Sequence, residues 1–113
     1  MSVNAIGLSA NLLKAVKACG YKNLTPIQQQ AIPLIKAGHD ILASAQTGTG
    51  KTAAFSLPLI DKIAGENANR DINSGSVIRA LILTPTRELA AQVADNIATF
   101  SEFLPVKSGV IFG

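Results

Sequence analysis

Asp40-Ile41-Leu42-Ala43-Ser44 runs directly into Ala45-Gln46-Thr47-Gly48-Thr49-Gly50-Lys51-Thr52 and then into Ala53-Ala54-Phe55. No other stretch of the chain limits its fold as strongly. A short apolar run, a loop of small residues and a helix-compatible segment follow one another in the order that a phosphate-binding loop requires. Small residues let successive backbone N–H groups converge on phosphate oxygens, and the N-terminus of the helix that follows adds about half a positive charge. In this reading Gly48 and Gly50 allow backbone angles that a side chain would forbid. Lys51 reaches the terminal phosphates of a nucleotide, and Thr52 offers its hydroxyl oxygen to a bridging Mg²⁺. The first position departs from the general pattern, with Ala45 in place of Gly. The plainer alternative is a Gly-rich turn from strand to helix, with a capping Thr and an exposed Lys.

The remaining punctuation predicts alternating elements. Ser9 suits the cap of a helix from Ala10 to Cys19 with Leu12, Leu13 and Val16 on its apolar face, and Gly20 suits its end. Thr25-Pro26-Ile27-Gln28 reads as a second helix start, kinked at Pro33 and ended by Gly38. The helix after the loop is expected from Lys51 to about Ile63, bent at Pro58, with Gly65 to Ser76 an exposed, mobile loop. Arg79 to Thr84 reads as a second buried strand, and Pro85-Thr86 opens another helix with Glu88 in its first turn. Leu89, Val93, Ile97 and Phe100 recur at helical spacing, and Val106 to Phe112 reads as a third strand. Strand and helix in alternation predict an α/β fold, a parallel sheet flanked by helices with right-handed crossovers.

Composition narrows the class. A chain of 113 residues with 48% apolar and 15% charged residues suits one globular domain or part of one, and excludes a disordered tail. Cys19 is the single cysteine, and the N-terminus has no basic start leading into an unbroken apolar run, so a reducing, cytoplasmic setting is expected. Every apolar run is interrupted before it could span a bilayer. The net charge of +3 is compatible with a polyanionic partner and decides nothing alone.

Three sets of residues carry two readings each. Gln28 can return to the Thr25 backbone as half of a capping box, or can offer a donor and an acceptor that match adenine N6 and N7; chemistry alone weighs toward the cap. Thr86 and Arg87 can be an N-cap beside a surface ion pair, or a helix N-terminus that holds a nucleic-acid phosphate. Cys19 and His39 lack the partner cluster of a metal site and read as structural.

Gly20-Tyr21 with Thr25-Pro26-Ile27-Gln28, then Ala45 to Thr52, then Pro85-Thr86-Arg87-Glu88-Leu89-Ala90, resemble in order and spacing the Q motif, motif I and motif Ia of DEAD-box RNA helicases. The resemblance covers the whole chain, residues 1–113. Gly7-Leu8-Ser9 and Gln28 to Pro33 look most like the bacterial RhlE type. The resemblance implies a RecA-like P-loop NTPase fold, with ATP and Mg²⁺ as cofactors and RNA as partner. Ala45 becomes a family mark. Gln28 becomes the adenine reader, with Tyr21, Asn23 and Thr25 completing its pocket. Ala45, Gln46, Thr47, Gly48, Thr49, Gly50, Lys51 and Thr52 form the phosphate site; Lys51 and Thr52 are its catalytic pair, and Thr52 holds the metal. Pro85, Thr86, Arg87 and Gly113 are the implied RNA contacts, made to the sugar-phosphate backbone and therefore largely blind to sequence. Two positions depart from the family: Val3 stands where an aromatic usually stacks on adenine, and Leu24 where Pro usually precedes the Thr.

The acidic segment that hydrolysis requires does not occur in these residues, nor does the second RecA-like domain that supplies an arginine and the rest of the RNA surface. The expectation is therefore the incomplete first half of a first RecA-like domain. Its apolar edges would be left open, which would favour a dimer or a swapped element. A nucleotide- or RNA-binding module without catalysis and a P-loop phosphotransferase are the readings from other classes.

Overall fold

The structure is a computed structural model that describes residues 2–46, 48, 50–68 and 77–112. A 3₁₀ turn at Val3–Ile6 precedes four helices: α1 (Ala10–Ala18), α2 (Pro26–Lys36), α3 (Lys51–Ala68) and α4 (Arg87–Phe100). The capping chemistry sets most of these limits. Ser9 precedes α1 in an extended conformation and caps it through its carbonyl, which accepts from Leu13 N–H at 2.9 Å; its own N–H donates to Asp61 Oδ1 on α3 at 3.3 Å. At the other end Gly20 has φ of 86°, a left-handed conformation that costs a non-glycine residue about 1–2 kcal/mol. The turn closes with Gly20 N–H on the Lys17 carbonyl and Tyr21 N–H on the Val16 carbonyl, the paired bonds of a Schellman ending. Helix α2 ends the same way, with Gly38 and His39 donating to Ile35 and Leu34.

Helix α3 is the centre of the packing, lying mainly against α2 and also against α4, while α1 rests on α4. Leu12 and Val16 from α1, Ile32 from α2, Leu57 and Ile60 from α3, and Val93, Ile97 and Phe100 from α4 meet in one apolar core. Val3 and Leu24 close it from the non-helical segments. The amphipathic stripe of α4 is thus buried from Val93 onward, but Leu89, in the first turn, is exposed. Helix α3 runs through Pro58 to Ala68, so Gly65 to Ala68 are helical where a loop was expected. Residues 69–76, the rest of that expected loop, lie outside the described residues.

The expected sheet does not form among the described residues. Residues 40–44, 79–84 and 106–112 carry no ladder, and the one bridge is an isolated antiparallel pair between Ser2 and Asn23. An apolar run signals burial, but a strand also needs a neighbour to take its N–H and C=O groups, and these three runs do not pair with one another. Of the middle run, Ile82 packs against the core while Leu81 and Leu83 stand 79% and 84% exposed; Leu42 and Ile111 are also out in solvent.

Two glycines test this reading of the helix ends in opposite directions. Gly65→Ala should stabilise the chain by about 0.5–1 kcal/mol, because the position is helical with open space around it. Gly20→Ala should destabilise it by about 1 kcal/mol through its left-handed φ. Urea unfolding followed by circular dichroism measures both, and a destabilised Gly65→Ala chain would contradict the extended α3.

Candidate nucleotide and nucleic-acid site

Thr25 stands before α2 in an extended conformation, with Pro26 at the first helical position. Gln28, one turn in, is only 2% exposed. Its Oε1 accepts from Thr25 N–H at 3.0 Å, and its Nε2 donates to the Gly50 carbonyl at 3.2 Å. The glutamine side of a capping box is therefore firm. The threonine side is loose, since Thr25 Oγ1 faces the Gln28 amide without completing a bond and stays buried without a partner. Gln29 supports the same turn by donating to the Leu24 carbonyl at 3.0 Å.

The Gly50 carbonyl uses both lone pairs, because it also accepts from Ala54 N–H at 3.0 Å as the first bond of α3. Gly50 has φ of 85°, and a Cβ there would collide with Nε2 of Gln28 and press on Thr25 Oγ1. Here glycine is required twice over, by backbone angle and by close approach. Gly48 is also left-handed, at 84°, so the loop bends at both described glycines on its way into α3. Lys51 is exposed at the first residue of α3, and Thr52 is half-buried beside it. The Thr52 carbonyl accepts from Ser56 Oγ at 2.5 Å, which ties the first turn down from within the helix.

This arrangement suits an anion. The N–H groups of the first turn of α3 have no intrahelical partners, the helix dipole adds positive potential, and the exposed ammonium of Lys51 stands at the same end. Lys51 and Thr52 are the two residues here with the chemistry to meet phosphate oxygens and a phosphate-bound Mg²⁺. Among the described residues no cluster of His, Cys, Asp and Glu could hold a metal ion by itself, so a cation here would depend on the phosphates. Thr47 and Thr49 lie outside the described residues, Ala45 is half-buried, and Gln46 is exposed.

Tyr21 and Asn23 have contacts of their own. Tyr21 is 39% exposed and lies against Phe100, the ring centroids 6.1 Å apart and tilted by 51°. It lines a recess of about 330 Å³ together with Val3, Lys17 and Lys22, and Gln28 is not among the walls. Asn23 is held in the bridge to Ser2, and Val3 N–H donates to the Lys22 carbonyl at 3.1 Å. Val3 itself is 2% exposed, so it serves the core and offers no stacking face.

At the second candidate surface, Thr86 caps α4 by accepting from Leu89 N–H at 3.1 Å. Its carbonyl accepts from Ala90 N–H at 3.1 Å and from Thr84 Oγ1 at 3.0 Å, which fixes the turn at exposed Pro85. The cap does not exhaust Thr86, because a hydroxyl that accepts can still donate. Arg87 is exposed, with its guanidinium 5.3 Å from the centroid of the Phe112 ring. An aromatic ring thus lies against the arginine, across a sequence separation that no local pattern reveals. The Gly50 carbonyl as the partner of Gln28 was equally beyond local pattern. Gly113 lies outside the described residues.

Comparison with known proteins gives the family of the chain. The family described as DEAD/DEAH box helicase matches residues 25–113. The ATP-dependent RNA helicase CshA of Limosilactobacillus reuteri is 44% identical over all 113 residues, and the DEAD-box ATP-dependent RNA helicase RhpA of Helicobacter pylori is 41% identical over 112. The chain spans 21% of the length of each of these two relatives. Among solved structures, the RNA helicase Prp28 from Chaetomium thermophilum bound to ADP aligns with a TM-score of 0.83 at 38% identity, covering 99% of this chain and 26% of that one. A DEAD box protein from Methanococcus jannaschii aligns with a TM-score of 0.73 at 44% identity, covering 88% of this chain and 25% of that one. A match that takes in the buried glutamine, the glycine loop and the capped start of α4 shows that this chain belongs to the DEAD/DEAH box helicase family.

Proposed function

We propose that this chain is the ATP-binding first part of the first RecA-like domain of an ATP-dependent RNA helicase, whose full-length form separates short RNA duplexes. The observation that carries the reading is the Gln28 amide, buried at 2% exposure and joined to both the Thr25 backbone and the Gly50 carbonyl. One side chain thus links the segment proposed to read adenine to the loop proposed to hold phosphates. Each of its polar atoms keeps capacity, since Oε1 has a second lone pair and Nε2 a second N–H. These spare positions are the ones through which Gln28 would read an adenine edge, once the contacts that bury it open. Lys51 meets the terminal phosphates, and Thr52 is the residue that would hold Mg²⁺, which supplies charge neutralisation at the phosphates.

Pro85, Thr86 and Arg87 form the RNA face of this piece, contacting sugar and phosphate rather than bases. The second RecA-like domain of the full-length protein would complete that face. Gly7-Leu8-Ser9 and Gln28 to Pro33 favour an RhlE-like branch. No helix among the described residues is long and apolar enough to cross a membrane, and the free, exposed Cys19 suits a reducing cytoplasm. The exposed apolar runs around Leu42, Leu81, Leu83 and Ile111 support association of this chain with itself, by dimerisation or by exchange of an element.

Calorimetric titration with adenine and guanine nucleotide analogues in Mg²⁺ tests the nucleotide reading. Adenine should be preferred, and Gln28→Ala should abolish the preference while lowering stability by about 1–2 kcal/mol through the lost cap and the unpaired Thr25 N–H. Binding with no base preference in the unaltered chain would reduce Gln28 to a helix cap. These residues alone should not hydrolyse ATP, because no carboxylate in them has the setting to hold metal and water. Turnover that Lys51→Ala abolishes would overturn that expectation. Light scattering across a concentration series should show a species larger than a monomer, and a monodisperse monomer throughout would count against self-association.

A further inference from the structure

The cation–ring pair at the start of α4 has no part in the function proposed for the nucleotide site. Arg87 occupies the first residue of α4, immediately after the Thr86 cap, and its guanidinium lies 5.3 Å from the centroid of Phe112. That is within the range of about 6 Å in which the negative face of a ring attracts a cation. Phe112 is 43% exposed, so the ring does not serve the core as Phe100 does. One of its faces is given to the arginine.

The geometry points to Phe112 as a positioning residue for RNA: its ring restrains the Arg87 guanidinium beside the N-terminus of α4, where a backbone phosphate would be met. The inference rests on the reading of Arg87 as an RNA contact. Three physical features support it. An exposed arginine has about 2 kcal/mol of rotamer entropy to lose on binding, and one already held against a ring has lost part of it beforehand. Helix α4 is 14 residues long and fixed at its start by the Thr86 side chain, so an arginine held there is held against a firm frame. The same N-terminus contributes positive potential where the phosphate would lie.

The pair also joins the end of the described chain to α4. Val110, Ile111 and Phe112 were expected as strand residues, yet they join no ladder. Phe112 is held instead by a contact with Arg87. The segment from Val106 to Phe112 thereby places an aromatic ring beside a helix start that lies 25 residues earlier in the sequence, and the RNA face gains a residue that no motif identified.

The test combines a structural and a binding readout on the unaltered chain, Phe112→Leu, Phe112→Tyr, Arg87→Ala and the Arg87→Ala/Phe112→Leu double variant. In the RNA-free chain, NMR should show the Arg87 side-chain protons shifted upfield by the ring, with the shift kept in Phe112→Tyr and lost in Phe112→Leu. Binding of a fluorescein-labelled single-stranded oligouridylate, read by anisotropy, should weaken about two- to five-fold in Phe112→Leu, the scale of an exposed cation–π contact, and stay near the unaltered value in Phe112→Tyr. On the Arg87→Ala background Phe112→Leu should cost nothing further. Backbone spectra of each variant establish that it is folded, which the half-exposed position of Phe112 favours. Loss of affinity in Arg87→Ala with none in Phe112→Leu would overturn the positioning role while leaving the RNA contact intact. An equal loss from Phe112→Leu on both backgrounds would also overturn it, by showing that the ring meets RNA directly. Unchanged affinity in Arg87→Ala, or no RNA binding by the unaltered chain, would remove the RNA reading and the inference together.

Discussion

The contact on which this structure turns is a single amide. Gln28 is buried between the start of α2 and the start of α3, accepting from Thr25 N–H and donating to the Gly50 carbonyl. A buried amide must be satisfied, and leaving one polar group of this kind unpaired costs about 1–3 kcal/mol. The two helix starts are therefore fixed relative to each other by the demand of one side chain. The consequence reaches the loop, because the approach of Gln28 leaves no room for a Cβ at position 50 and so requires glycine there. Helix α3, set in place this way, then provides the apolar face against which α2 and α4 pack.

A second device of the same type sets the start of α4. Thr86 caps α4 through its side chain, and its carbonyl gathers both the first helical bond and the Thr84 hydroxyl. Helix starts at α3 and α4 are thus both built as firm turns with a basic residue at the first position, Lys51 in one and Arg87 in the other. For a polyanion this is favourable twice, from the dipole of each helix and from the side chain it carries. The two differ in surroundings: Lys51 is presented to solvent beside a Gly-rich loop, and Arg87 beside an aromatic ring. A compact ammonium suits several phosphate oxygens of one nucleotide, whereas a planar guanidinium suits a directed contact with a single backbone phosphate.

The apolar runs after α2, α3 and α4 show where pattern and structure part. Leu81 and Leu83 face away from the core while Ile82 faces into it, so the residue-by-residue alternation of a strand is present without the ladder. Pairing is a property of two segments, and a run can be ready for it on both edges yet remain single. The apolar groove of about 440 Å³ between these residues and Ile35, Phe55 and Leu59 is the packing counterpart of that unpaired state.

The sequence by itself determined everything that depends on neighbours along the chain. Caps at Thr25 and Thr86, the proline at the first position of α2, the glycine endings at Gly20 and Gly38, the bend of the phosphate loop and the inward stripe from Val93 to Phe100 all follow from local backbone chemistry and helical period. Local signals failed where a remote partner decides. The length of α3 past Gly65 was misread because glycine and asparagine suggest a loop when no packing is known, and the exposure of Leu89 because a stripe does not say where its cover ends. The tertiary structure alone decided that Gln28 would meet Gly50, that Arg87 would meet Phe112, and that three strand-like runs would stay unpaired. Each of these joins residues far apart in sequence, and only the folded backbone sets the distance between them.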